Sequence, residues 1–144
     1  MKIYRILILE DNLTVLSKII DKLSVLEQNQ EFDFSLVVLT DYDKVNKYIN
    51  KNPDEKFDII LLDRDCKIKG SFHVLDIEKF GADKVIAISA TERFNKQAME
   101  RGITKVVEKD MLNLDIFTQK LMKEIVIMLF GETHYKKMIS SNDE

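Results

Sequence analysis

Four consecutive apolar residues, Ile59-Ile60-Leu61-Leu62, run directly into a carboxylate, Asp63. A stretch that is apolar at every position has no face to offer water. It reads as a parallel strand buried on both sides that delivers one acidic side chain to the end of a sheet. The same arrangement opens the chain, where Ile3 to Leu9 stops at Glu10-Asp11. Val85-Ile86-Ala87-Ile88 ends at Ser89-Ala90, and Thr104 to Val107 leads into Glu108-Lys109-Asp110. Phe34 to Leu39, closed by Thr40-Asp41, is the remaining β-type run.

Stretches of helical period separate these runs. Leu13, Leu16, Ile19, Ile20, Leu23 and Leu26 recur every three or four residues, and Asp11 or Asn12 can cap the start. Val45, Tyr48 and Ile49 mark a short helix that ends before Asn52-Pro53, because proline disfavours a helical residue ahead of it. After a charged loop from Arg64 to Ser71, a weakly patterned helix is expected over about 72–80, stopped by Gly81. A polar helix over about 91–101 has only Phe94, Ala98 and Met99 to bury. The last helix, about 113–130, presents Ile116, Phe117, Leu121, Met122 and Ile125 and stops at Gly131.

Five strands alternating with five helices predict an α/β fold, a flavodoxin-like doubly wound five-stranded parallel sheet of order 2-1-3-4-5. Residues 1–131 would form this domain and 132–144 a polar tail that frays. The end of the last helix, Ile125 to Phe130, is more apolar than one buried face requires. Dimerisation or packing of the tail would use that surface.

Composition removes several classes of function. The 144 residues suffice for one core without metal or disulfide support, and the one cysteine, Cys66, has no partner. A net charge of -3 without a basic block argues against nucleic acid. Ile125 to Phe130, the longest apolar run, is far shorter than the roughly 20 residues that cross a bilayer. Glu10 and Asp11 cut the first apolar run too early for a signal peptide, so a soluble, cytoplasmic protein is expected. His73 and His134 lack metal-ligand spacing.

In the order 2-1-3-4-5 the first and third strands are neighbours at the switch point, where ligands bind outside the carboxyl ends. Glu10, Asp11 and Asp63 would converge there, with Ser89 and Lys109 supplied by the fourth and fifth strands. Three carboxylates together repel one another and call for a cation. Oxygen-only ligands favour a hard ion, and Mg2+ fits best because it keeps waters and takes phosphate oxygens. A serine hydroxyl and a lysine ammonium suit the remaining phosphoryl oxygens, which makes phosphoryl transfer to a carboxylate the matching chemistry.

The pieces Leu9-Glu10-Asp11-Asn12, Ile60-Leu61-Leu62-Asp63, Ala87-Ile88-Ser89-Ala90 and Val107-Glu108-Lys109, in this order, resemble the response-regulator receiver domain, the CheY-like phosphoacceptor module of two-component signalling. The resemblance implies that Asp63 accepts a phosphoryl group from a sensor histidine kinase or a phosphotransfer protein. It implies that Asp11 and Asp63 bind Mg2+ directly, Glu10 through water, and the Asp65 backbone carbonyl as a further ligand. Ser89 and Lys109 would contact the phosphoryl oxygens, and movement of Ser89 would bias the face made by the fourth helix, fifth strand and fifth helix. Such a chain is a signalling domain rather than an enzyme. With no output domain in the sequence, it is expected to act by contact with a downstream protein.

Three positions depart from that family. Asp110 replaces a proline after the lysine, and since a non-proline cis bond costs about 3 kcal/mol, the Lys109–Asp110 bond is expected to be trans with an altered loop. Val106 stands where an aromatic switch residue is usual, and Arg64-Asp65-Cys66-Lys67 replaces a methionine-proline turn. The extra charge of Asp65 would slow phosphorylation or change the phosphoryl lifetime. Equal half-lives in wild type and Asp65→Asn would remove that idea. Two alternatives remain: a pseudo-receiver that binds partners without phosphorylation, and a haloacid-dehalogenase-like phosphatase using Asp63 and Asp65, in which Glu10-Asp11 has no role.

Overall fold

The computed structural model describes residues 1–28, 30–64 and 70–142, with side chains to residue 140. The segment holding Asp65 and Cys66 lies outside the described residues, and with it the expected Asp65 carbonyl ligand. Strands β1 (Lys2–Leu9), β2 (Phe32–Leu39), β3 (Ile59–Leu62), β4 (Val85–Ala87) and β5 (Lys105–Val106) form one sheet of order β2-β1-β3-β4-β5. Every pairing is parallel. This is the predicted doubly wound topology, and its cause is visible in burial. All four residues of β3 are shielded by neighbours on both sides.

Alternation sorts the sheet residues into two layers. Ile6, Ile8, Ile59 and Leu61 face α1 (Leu13–Glu27) and α5 (Leu114–Phe130), whose Ile19, Leu23, Phe117 and Leu121 fill that side. Leu7, Leu9, Ile60 and Leu62 face the opposite layer, which includes Val45, Phe72, Phe80 and Ala98. Asn12 caps α1, its side chain accepting from the Val15 N–H at 3.1 Å. The inward stripe of α1 is rotated from the expected one. Val15 is buried, whereas Leu13 and Ile20 face solvent.

The second layer departs from sequence expectation. The short helix after β2 begins as α2 (Tyr42–Lys44) and widens into a π-helical stretch, Val45–Asn50, that leaves Tyr48 exposed. Its loosened carbonyls find a partner in Lys79, whose Nζ donates to Ile49 and Asn50 at 2.8 and 3.0 Å and also reaches Asn52. The helix expected over 72–80 is broken into a 3-10 turn, Phe72–Val74, and a single turn, α3 (Ile77–Phe80). Four apolar residues there, Phe72, Leu75, Ile77 and Phe80, all point inward, and one continuous helix could not aim them together.

A 3-10 turn, Ala82–Lys84, leads into β4, and α4 (Glu92–Glu100) joins β4 to β5. Beyond Gly131, whose φ of 90° ends α5, the segment expected to fray forms a sixth helix, α6 (Glu132–Asn142). The apolar end of α5 holds it. Phe130 meets His134 with ring centroids 4.9 Å apart, and Tyr135, Met138 and Ile139 line a groove with Leu26, Met122 and Val126. Packing of the tail therefore uses part of the apolar run from Ile125 to Phe130, namely Val126 and Phe130. Among the described residues no helix is long and apolar enough to cross a membrane.

Candidate functional site

The strand register carries the polar residues to one edge. Leu9 pairs with Leu62 and Leu62 with Ala87, so β1, β3 and β4 run out at the same level. Parallel hydrogen bonding continues one step past the strands: the Asp63 N–H donates to Leu9 O at 3.0 Å and the Lys109 N–H to Ser89 O at 3.2 Å. Backbone bonds of this kind fix where each side chain starts. Glu10, Asp63, Ser89 and Lys109 are all buried, and Asp11 is half-buried at the mouth.

Carboxylate oxygens of Glu10, Asp11 and Asp63 lie within 4.8 Å of one another. The Lys109 ammonium enters between two of them, donating to Asp63 Oδ2 at 3.2 Å and pairing with Glu10 Oε1. The other Glu10 oxygen accepts from the Asp11 and Asn12 N–H groups at 3.0 and 3.3 Å, and Asp63 Oδ1 accepts from the Arg64 N–H at 2.8 Å. Burial first, and the Asp63 charge second, push the Glu10 carboxyl from 4.5 up to about 7, against the opposing pull of Lys109. One ammonium therefore does not balance this pocket. Three oxygen donors around an excess of negative charge fit a hard divalent cation, with Asp11, Asp63 and Glu10 as the groups that would hold it.

Ser89 is buried two residues beyond β4 at the same edge of the sheet, with surroundings that the sequence does not reveal. Its hydroxyl oxygen accepts from the Thr91 N–H at 3.2 Å. Its backbone N–H donates to Asn95 Oδ1 at 3.0 Å, and Asn95 Nδ2 donates back to Ser89 O at 2.9 Å. Asn95 is buried on α4 although only Phe94, Ala98 and Met99 were expected to turn inward. Of those three, Ala98 is buried, Phe94 is half-buried and Met99 is exposed. The signal that could have revealed Asn95 is its position three residues before Ala98, on the same face of the helix.

Two departures now have physical form. Among the described residues no peptide bond is cis, and the loop after Lys109 is closed by Asp110, whose Oδ1 accepts from the Leu112 and Asn113 N–H groups at 3.0 and 3.2 Å. The Asp110 side chain thus closes this turn by an Asx-type arrangement. Val106 is half-buried on β5 and has no ring to swing. His73 and His134 stand outside the acidic cluster.

Fold and pocket together define a doubly wound α/β protein with an acidic pocket at the carboxyl edge of its sheet. Within that class, the solved structures it resembles are response regulators, and the chain has their receiver fold. The phosphorylated cyanobacterial phytochrome response regulator RcpA is 20% identical, with 88% of this chain and 94% of that one aligned at a TM-score of 0.71. The Mn2+-bound form of response regulator Rcp1 is 18% identical over 90% of this chain and 96% of its own, with a TM-score of 0.66. The bacteriophytochrome response regulator AtBRR is 19% identical over 83% and 92%, with a TM-score of 0.57. No protein-family model and no curated protein sequence matches the chain.

Proposed function

We infer that this chain is a response-regulator receiver whose Asp63 accepts a phosphoryl group in a Mg2+-dependent reaction and which signals by protein contact. The observation that carries the reading is the Lys109 ammonium set between Glu10 and Asp63, with Asp11 in the same cluster at the sheet's carboxyl edge. Asp63 Oδ2 is the nucleophile: it attacks phosphorus while the bond from phosphorus to the donor's histidine nitrogen breaks. Glu10, Asp11 and Asp63 would hold the divalent ion, which would neutralise charge on the transferring group. Lys109 takes one phosphoryl oxygen, and the Ser89 hydroxyl turns from Thr91 to donate to another. The chemistry ends at the acyl phosphate and its hydrolysis, so the chain is a signalling domain rather than an enzyme with a small substrate.

The donor is a sensor histidine kinase or phosphotransfer protein, and the receiver of the signal is another protein in the cytoplasm. Residues 1–131 form the phosphoacceptor unit and 132–144 an appended segment. Acetyl phosphate with Mg2+, read by intact mass, tests the reading. Wild type gains one phosphoryl group and Asp63→Asn gains none. Absence of labelling would leave a pseudo-receiver, and rapid release of phosphate from small esters would make the chain a phosphatase.

A further inference from the structure

The Ser89 backbone is held by a side chain from outside the pocket. Both of its hydrogen-bonding groups engage the amide of Asn95, an exchange of 3.0 and 2.9 Å that is buried at both ends, and the carbonyl also accepts from the Lys109 N–H at 3.2 Å. A paired exchange fixes orientation as well as distance, because either bond alone would leave a hinge. The helix carrying Asn95 begins at a cap, Thr91, whose own side chain makes no capping bond. What the start of α4 has instead is the Ser89 hydroxyl, which accepts from the Thr91 N–H. Ser89 is thus tied to α4 at three atoms.

A second link reaches the same helix from the neighbouring strand. Arg64 follows Asp63 directly, and its guanidinium lies 4.0 Å from the centroid of the Phe94 ring while its Nε donates to Gln97 Oε1 at 3.2 Å. Residues adjoining the phosphoacceptor and the serine are therefore both attached to the Phe94 to Gln97 turn of α4. On the β5 side the usual large ring is replaced by Val106, which offers no comparable lever.

We propose that Asn95 is a positioning residue that ties the Ser89 backbone to α4, so that a shift of Ser89 reaches that helix only while this amide pair is intact. This deepens the phosphoacceptor reading and rests on it. When the Ser89 hydroxyl turns toward a phosphoryl oxygen it gives up the Thr91 N–H. The Asn95 clamp converts the accompanying backbone shift into displacement of the helix. Without the clamp the hydroxyl still turns, but the helix stays behind.

The test uses the full chain labelled with 15N and titrated with beryllofluoride and Mg2+, a mimic of the phosphorylated state. In wild type the amides of Glu92 to Glu100 shift together with that of Ser89. In Asn95→Ala, beryllofluoride still binds, weakened by no more than about tenfold, the equivalent of about 1.4 kcal/mol, but the shifts along α4 are lost. Asn95→Asp, which keeps the acceptor for the Ser89 N–H, recovers part of them. A merely structural asparagine would lower the melting temperature and leave the shift pattern intact, and that result overturns the proposal. Where the alanine variant does not fold, wild type decides: Ser89 and α4 amides must share one titration midpoint, and α4 amides that stay in place overturn it. A wild type that takes up no beryllofluoride removes the phosphoacceptor reading and this inference with it. Uptake with unchanged α4 shifts in the variant removes the inference alone.

Discussion

Glu10 has no exposed surface, and its carboxyl is held near 7 by desolvation and by the charge of Asp63. Between the ordinary value of 4.5 and about 7, the folded chain keeps a proton that the unfolded chain has released. This contribution to stability is complete below 4.5 and is lost as pH rises through 7, a change of up to about 3 kcal/mol. Urea unfolding without divalent ions is therefore expected to show lower stability at pH 8 than at pH 5, with a smaller difference in Glu10→Gln. Mg2+ at 100 times its dissociation constant adds about 2.7 kcal/mol. Its effect on the melting temperature is expected to be larger at pH 8, where the carboxylates are free to ligate, and to be weakened in Asp11→Asn. Asp110 allows a separate check. Its carboxylate organises the loop after Lys109, so Asp110→Ala is expected to cost about 1 kcal/mol in urea unfolding and to broaden the Leu112 and Asn113 amide signals.

The elements differ in how far their sequences revealed them. β3 and β1 were legible because a run of buried aliphatics has few other uses, and their register then brought the acidic residues together as expected. α3 was not legible as it stands. The four inward residues of the stretch from Phe72 to Phe80, two of them in α3, follow a spacing that suits a broken turn, and Lys79 of α3 bonds to π-helical carbonyls that are distant in sequence. Asn95 escaped because an amide on a polar helix looks like surface until the strand end it serves is placed beside it. α6 escaped because its composition is polar, and its few apolar residues count only once the end of α5 is known to be uncovered. Truncation after Gly131 is expected to cost roughly 2 kcal/mol, from the partial burial of Tyr135 and Met138 and the loss of the Phe130–His134 ring contact. Beryllofluoride binding should survive, because the pocket lies at the carboxyl edge of the sheet and makes no use of α6.

At the scale of the whole molecule, one sheet separates two apolar layers, and β1 and β3 contribute to both. Opening either layer bares one face of strands on which the other layer also packs, which couples the two through β1 and β3. Far-ultraviolet dichroism and tyrosine fluorescence are therefore expected to report one coincident unfolding transition. Separate midpoints would show that the layer of short turns over Phe72 and Phe80 melts first. The packing of α6 beside the seam of α1 and α5, over a groove of about 560 Å³, has a consequence for self-association. Any second copy approaching that flank competes with a segment joined to it through one glycine, whose effective concentration is on the order of millimolar. At the micromolar levels of a sedimentation experiment the tethered helix is therefore expected to win, and the chain to sediment as a single copy.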